Sequence, residues 1–216
     1  MDQTGTKNNA AFSVFGENGE IQPIPAGLDH FAFFGLPRKM TLDGAALETR
    51  YYDLSRRLHP DFFMNASASK RILSLEASAR LNGAYKTLKD PIIRAVYLVE
   101  LESGKLEEND SRPPVDLLEE IFEAQEAADE YKCCEDDAEE AKNIRLRLEA
   151  AKECFDAQRA GQRAALEDLG ERWDRAVDAG DEPPAEVIDK LRSVLGLRNY
   201  IDNILRSVNQ ALEEVP

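Results

Sequence analysis

Residues Leu42–Asp61 read LDGAALETRYYDLSRRLHPD and carry the strongest indication of the fold in the chain. Within this stretch, one apolar set recurs at steps of four, three and four, the spacing of one helix face: Leu47, Tyr51, Leu54 and Leu58. Thr41 precedes the pattern and is predicted to be its N-cap. The helix must end at His59, because Pro60 disfavours helical dihedral angles in the residue before it. We therefore predict an amphipathic helix over residues 42–58.

The segment after this helix predicts an antiparallel helical hairpin. A second helix is expected over about residues 69–88, with Leu81, Tyr85 and Leu88 on its inner face. The loop between the two helices spans about ten residues, which lets neighbouring helices pack side by side. A third helix is expected over residues 92–101, with Pro91 in the first position, where its missing N–H costs nothing.

The whole chain divides into four regions. They are an N-terminal extension (1–28), the helical hairpin unit (29–103), a linker (104–114) and a C-terminal bundle (115–216). Three helical stretches are expected in the bundle, over about 115–132, 136–168 and 185–213. Three helices with short connections form an antiparallel bundle. We expect an all-α fold, preceded by a short segment that is irregular or β-hairpin-like around Gly16–Gly19.

Charge is distributed very unevenly along the chain. The 216 residues carry a formal net charge of −15, which argues against nucleic acid and anionic membranes as partners, because phosphate recognition needs clustered positive charge. Residues 29–94 carry seven acids against eleven Lys and Arg, a net +4, whereas residues 107–140 carry fifteen acids against two bases, a net −13. This asymmetry predicts two functional units with different partners.

Composition also indicates the compartment. No apolar run approaches the ~18 residues of a membrane span, and the first residues lack the basic start and apolar core of a secretory signal. The three cysteines are an odd number, and Cys133 and Cys134 are adjacent, which disfavours a disulfide scaffold. We therefore expect a cytoplasmic protein.

Motifs for catalysis are nearly absent. The chain has two histidines, no metalloprotease, Cys-x-x-Cys or nucleophile-elbow motif, and no glycine loop for phosphate. A hydrolase that uses His59 and Asp61 is disfavoured, because no nucleophile lies nearby in the sequence and Pro60 constrains the geometry. We expect a protein that is not an enzyme and that holds no cofactor and no metal.

The tripeptide His59-Pro60-Asp61 is weak as an isolated motif, and it can be interpreted simply as a helix terminator. Its context is more specific, since it lies at the predicted tip of a helical hairpin. Together with the phrases around it, it resembles the J-domain of the HscB family of iron–sulfur cluster co-chaperones. The phrases that carry the resemblance are His59–Phe63, Asn82–Leu88, Asp90–Leu98 and Leu117–Glu126. The resemblance covers residues 29–130 well and the remainder loosely.

The resemblance implies a co-chaperone that stimulates ATP hydrolysis by an HscA- or DnaK-type chaperone. Its chaperone-binding residues would be His59, Pro60 and Asp61 in the loop, and Arg50, Arg56 and Arg57 on the preceding helix. The three arginines are predicted to lie on the face of that helix opposite the apolar set, and such a basic face fits an acidic partner surface, through contacts that salt weakens. The alternative is that the three arginines are ordinary solvated charges.

The first bundle helix is expected to bind a second partner. Leu117, Ile121, Ala124 and Ala128 share one face and are predicted core. In HscB-like proteins the neighbouring face holds the iron–sulfur scaffold protein IscU, and the matching residues here are Leu118, Glu119, Phe122, Glu123, Glu126 and Glu130, with Tyr200 on the last helix. The alternatives are a core pair beside a solvated acidic face, or a J-domain protein with a different client.

The N-terminal extension departs from one branch of the family. Some members carry two Cys-x-x-Cys pairs that bind zinc in this region. Residues 15–23 have a similar cadence but no cysteine, and thiolates are what make such a site. We therefore expect no zinc, whether the extension is a degenerate zinc ribbon or is disordered.

Overall fold

The structure, a computed structural model, describes residues 12–106, 115–133 and 138–213. These residues form α1 (His30–Phe34), α2 (Gly44–Leu58), a 3-10 turn (Pro60–Phe63), α3 (Ala68–Lys89), α4 (Pro91–Ser103), α5 (Val115–Cys133), α6 (Ala138–Ala179) and α7 (Ala185–Glu213). Over the described residues the only β-pairing is one isolated antiparallel bridge, so the predicted all-α fold is confirmed. Most of the predicted linker (107–114) and Cys134 lie outside these ranges.

The start of α2 differs from the prediction. Asp43, and not Thr41, is the N-cap, and its Oδ1 accepts hydrogen bonds from the backbone N–H of Ala45 (2.9 Å) and Ala46 (3.1 Å). The Thr41 prediction is wrong because an aspartate two residues later reaches two amides that lack an intrahelical partner. The end at His59 is as predicted, with His59 extended at ψ 129° before Pro60.

Helix α4 begins as its sequence predicts. Pro91 is its first residue, and the Asp90 Oδ1 accepts from the N–H of Ile92 (2.8 Å) and Ile93 (2.9 Å). Asp90 thus satisfies two N-terminal amides that have no intrahelical partner, and Pro91 has no N–H that would need one. The first two residues of the phrase Asp90–Leu98 therefore cap and begin α4.

The chain forms two compact units, and the first comprises the described residues up to Leu98 together with Val177–Asp181. Its core is a set of fully or nearly fully buried apolar side chains: Phe31, Phe33, Phe34, Leu47, Leu58, Ala77, Leu81, Ala84, Leu88 and Leu98. The Tyr51 ring stacks on Tyr85 at 4.1 Å, and its hydroxyl donates to Asn82 Oδ1 at 3.0 Å. These contacts hold α2 antiparallel to α3.

Arg94 is a buried cation in this unit. Its Nη1 donates to the Leu88 carbonyl at 2.6 Å and its Nε donates to the Met40 carbonyl at 2.9 Å. Leu88 lies in the last turn of α3, where carbonyls lack intrahelical partners and a positive charge is favourable. Arg94 therefore links the end of α3 to the segment before α2.

Residues 12–28 are packed on this unit in a hairpin-like form, as predicted. Phe15 and Ile21 form the isolated bridge, and the side chains of Val14 and Ile21 are buried. The Arg57 guanidinium lies 3.9 Å above the Phe15 ring centroid, and Lys70 Nζ pairs with Glu20 Oε1 at 2.6 Å. This segment thus contacts both helices of the hairpin.

The second unit comprises Val99–Ala176 and Glu182–Pro216, as far as these ranges are described, and is a three-helix bundle. Its α6 extends to Ala179, eleven residues past the predicted end near 168. That prediction was wrong because Leu169 and Trp173, both buried, continue the apolar stripe and no proline interrupts it. The helix ends at Gly180, whose φ of 82° is readily adopted by glycine.

Polar contacts establish the register of the bundle. Glu120 on α5 accepts from Gln158 Nε2 on α6 at 3.0 Å, and Glu130 pairs with Arg147 at 2.9 Å, so α5 and α6 run antiparallel. Between α6 and α7 the ion pairs are Arg159–Asp202 and Arg172–Glu186, which makes this pair antiparallel too. It follows that α5 and α7 run in the same direction.

Candidate functional site

The sequence His59-Pro60-Asp61 forms an exposed turn at the tip of the α2–α3 hairpin. Leu58, the residue before it, is completely buried, whereas His59 and Asp61 are exposed. Pro60 ends α2 and starts the 3-10 turn, so the change of direction is built into the backbone. The turn therefore presents two polar side chains from a rigid base.

The side chain of His59 folds back onto this turn. Its Nδ1 accepts a hydrogen bond from the backbone N–H of Asp61 at 3.3 Å. An accepting Nδ1 carries no proton, so its 3.5 Å approach to the Asp61 carboxylate is not an ion pair in this tautomer. The proton of the neutral ring then lies on Nε2, which makes Nε2 a donor for a partner protein.

The three predicted basic residues do not share one face of α2. Arg50 and Arg57 are seven residues apart and lie on the same flank, where Arg57 covers Phe15 and the Arg50 guanidinium approaches Gly35. Arg56 lies about 100° around the helix from Arg57. All three side chains are exposed. Arg50 and Arg57 thus form a pair on one flank of α2, and Arg56 lies apart from them.

Four exposed apolar residues near the turn were missed from the sequence. They are Phe62 (75% exposed), Met64 (68%), Ile72 (56%) and Leu75 (57%). A signal for the last two was available, because the buried stripe of α3 runs through Ala77, Leu81 and Leu88, and Ile72 and Leu75 fall outside its period. Large apolar side chains exposed together are typical of a protein-binding surface.

On the bundle, the predicted core face of α5 is confirmed. Leu117, Ile121, Ala124 and Ala128 are all buried. Beside this stripe, Phe122 is 65% exposed and Leu118 is half-buried. Both side chains project from one flank of a rigid helix, next to the core and not within it.

Tyr200 on α7 lies at the level of Leu118. Glu120 is level with Gln158 on α6, and the adjacent Arg159 is paired with Asp202 on α7. Since α5 and α7 run in the same direction, the residues two positions earlier, Leu118 and Tyr200, also share a level. Tyr200 is 38% exposed and lies on the side of α7 away from Asp202, whose carboxylate faces α6. Its position thus fits one surface with Leu118 and Phe122, which we call the apolar patch.

The structure separates the predicted acidic residues into two groups. Glu119 and Glu126 are exposed on the solvent side of α5. Glu130 instead pairs with Arg147 of α6, and Glu123 lines a cavity of about 290 Å³ between α5 and α6. Glu123 and Glu130 therefore point toward the α6 side of the helix, about 80–100° around it from Phe122.

The described residues also bear on other chemistry. Among them, no group of three or more His, Cys, Asp and Glu side chains could hold a metal ion, and no helix is both long and apolar enough to cross a membrane. Partial desolvation, with the neighbouring Glu120 carboxylate, raises the pKa of the mostly exposed Cys154 thiol. A raised pKa leaves less of the thiolate, the nucleophilic form of cysteine, so this environment does not activate Cys154.

Comparison with known proteins agrees with this architecture. No protein-family model matches the chain. Among solved structures, the chain is similar to human co-chaperone protein HscB, with a TM-score of 0.63 and 24% identity over 94% of this chain and 90% of that one. It is also similar to chaperone HscB from Vibrio cholerae, with a TM-score of 0.54 and 27% identity over 87% of this chain and 99% of that one.

The comparisons and the sequence motifs lead to the same family. The likeness to HscB extends over nearly the whole chain, beyond the hairpin that carries His59-Pro60-Asp61 and into the bundle. The resemblance predicted from the sequence is thereby confirmed, since two solved HscB structures are similar to this chain over most of its length.

Proposed function

We propose that this protein binds an iron–sulfur scaffold protein of the IscU type, delivers it to an HscA- or DnaK-type chaperone and stimulates the ATPase of that chaperone. The observation that carries the proposal is the exposed His59-Pro60-Asp61 turn on a buried base, in a chain similar to HscB from Vibrio cholerae over 87% of its length. The protein performs no catalysis itself. It acts in the cytoplasm, the location predicted from its cysteine content.

The turn is the element that engages the chaperone. His59 Nε2 and the Asp61 carboxylate offer one donor and one acceptor, in a geometry held by Pro60 and the 3.3 Å bond within the turn. Arg50, Arg56 and Arg57 add positive charge that attracts an acidic chaperone surface. Stimulation requires that these contacts be stronger in the hydrolysing state of the chaperone than in its resting state.

The apolar patch is the element that engages the scaffold. Phe122 and Tyr200 are exposed aromatic side chains, a residue class that is enriched in protein interfaces. Leu118 borders them, and Glu119 and Glu126 supply negative charge at the margin. An apolar centre with a charged margin is the usual anatomy of a protein interface.

A steady-state ATPase assay tests the proposal. The rate of a DnaK-type chaperone is measured with this protein present, with and without the scaffold protein, and each mixture is repeated with His59→Gln. We expect stimulation that increases synergistically with scaffold and that is lost in the variant. Stimulation that is indifferent to scaffold would retain the chaperone interaction and assign the bundle a different client.

A further inference from the structure

One backbone carbonyl at the end of α2 has an unusual pair of hydrogen-bond partners. Leu58 is the last residue of α2, and its carbonyl accepts from Ser74 Oγ at 2.7 Å and from Ser78 Oγ at 3.0 Å, both on α3. In a continuing helix this carbonyl would accept from the N–H of Phe62. That N–H donates instead to the His59 carbonyl at 3.0 Å, because Pro60 has ended the helix.

The two serines are placed specifically for this contact. They are four residues apart, so both hydroxyls lie on the same side of α3. Ser74 is 0% exposed, and it is one of only two buried polar or charged residues among those described. A carbonyl oxygen has two lone pairs, and the two hydroxyls together can satisfy both. Serine is also a weak helix former, so helix propensity does not account for it here.

The contact lies at the base of the turn. The Leu58 carbonyl immediately precedes His59, and its direction fixes the plane of the peptide from which the turn leaves α2. Each hydroxyl connects this peptide to α3, on the other side of the turn. A turn anchored on both sides has fewer orientations available than one connected through the chain alone.

We propose that Ser74 and Ser78 are positioning residues for the His59-Pro60-Asp61 turn, holding it in the orientation that stimulates the chaperone. The inference rests on the proposed function, since the turn is taken as the chaperone-engaging element. The serines do not touch the chaperone, and they act through the peptide that joins Leu58 to His59. Arg50, Arg56 and Arg57 are on α2 itself, so chaperone binding through them does not depend on the two hydroxyls.

A positioning role and a purely structural role predict different kinetics. If the serines only stabilise the hairpin, their removal reduces the folded fraction, and each folded molecule remains fully active. If they orient the turn, the plateau of ATPase stimulation falls while the concentration for half-maximal stimulation changes little. The two cases therefore differ in plateau activity per folded molecule.

The experiment uses the full-length chain with Ser78→Ala, Ser74→Ala and the double substitution. Thr49→Ala is the matched control, because the Thr49 hydroxyl donates to the Ala45 carbonyl of its own helix at 2.9 Å, away from Leu58. Ser78→Thr is the conservative variant, since Ser78 is only partly buried and threonine keeps the hydroxyl. Stimulation of a DnaK-type chaperone is titrated for each variant, with helicity followed by circular dichroism.

Amide hydrogen exchange supplies a readout that does not need the chaperone. The N–H groups of Asp61 and Phe62 donate to the His59 ring and the His59 carbonyl, so their protection reports the order of the turn. We expect the double variant to lose protection at these two amides and to lower the plateau roughly five- to tenfold, the effect of losing two hydrogen bonds at the weak end of their usual net strength. Ser78→Ala should show a smaller loss, with Ser78→Thr and Thr49→Ala near wild type.

Two results would overturn the inference. One is protection of Asp61 and Phe62 that the double variant leaves unchanged, and the other is a plateau per folded molecule within about twofold of wild type. If the double variant does not fold, Ser78→Ala decides by the same two criteria. A wild-type chain that gives no stimulation would instead contradict the proposed function, and the exchange measurement would still decide the role of the serines.

Discussion

The tip of the α2–α3 hairpin and the outer flank of α5 present their candidate residues in different ways. At the tip, a proline, a 3-10 turn and hydrogen bonds within a few residues fix two polar side chains. On α5, the helix itself is the support, and Leu118 and Phe122 simply lie beside the buried stripe. The first site depends on backbone geometry, and the second depends on the apolar area that its side chains offer.

This difference indicates how each site should respond to substitution. A change at the turn removes a specific donor or acceptor whose position the backbone has fixed, and no neighbour can replace it. A change on α5 removes contact area in proportion to the atoms deleted. Single substitutions at the turn should therefore have larger effects than single substitutions on α5.

The two histidines give the sharpest test. His59→Gln should reduce chaperone stimulation to near the basal rate, a loss of about 2 kcal/mol or more in engagement, with the melting temperature unchanged because His59 is exposed. His30 is the control, since it is part-buried and stacks on Tyr97 at 4.5 Å. His30→Gln should cost stability, by about 1 kcal/mol, and leave stimulation per folded molecule intact. A matching loss of helicity in His59→Gln would show that the residue is structural.

Truncation of the apolar patch tests the other site. Leu118→Ala combined with Phe122→Ala should weaken scaffold binding by about 2–4 kcal/mol, as measured by calorimetry, without reducing stimulation in the absence of scaffold. Leu146→Ala is the control, because Leu146 on α6 is 55% exposed and is not part of the patch. Unaltered scaffold affinity in the double variant would remove the patch as a client site.

Raising the salt concentration should weaken chaperone engagement more than scaffold binding. Raising ionic strength from about 0.05 to about 0.3 M should increase the concentration for half-maximal stimulation several-fold, since exposed charges are screened beyond the Debye length. Scaffold binding through apolar anchors should change less. Arg50→Gln with Arg57→Gln should flatten the salt dependence of stimulation, whereas Arg163→Gln, an exposed arginine on α6, should not. An equal salt response in both arginine backgrounds would contradict the electrostatic role of α2.

The N-terminal segment gives the smallest expected effect. The hydrogen bond and charge of Lys70 lower the pKa of Glu20, so their pairing stabilises the fold above the carboxyl's ordinary pKa and is lost as pH falls through the lowered value. Both side chains are well exposed, so the contribution is small. Wild type should therefore melt slightly above Glu20→Gln at neutral pH, and the two should converge once the pH has fallen through the lowered pKa of Glu20. A difference that persists in acid would indicate that Glu20 acts by packing.

An element could be predicted where local residues determine it, and it was missed where contacts distant in the sequence determine it. Pro60 ends α2 and Pro91 starts α4 through local geometry alone, so both boundaries could be read from the residues themselves. The N-cap of α2 could not, because Thr41 and Asp43 are both acceptable caps and the choice depends on where the chain meets the hairpin. The length of α6 was missed because its last turns are specified by burial of Trp173.

The candidate sites divide in the same way. The turn residues, the core stripe of α5 and the apolar pair beside it could be read from the residues, since each follows from spacing within one element. The fold was needed to place Tyr200 level with Leu118, to pair Glu130 with Arg147, and to bring two serines of α3 to the Leu58 carbonyl. Those facts depend on the register between helices, which side-chain packing sets across long sequence separations and which no local pattern encodes.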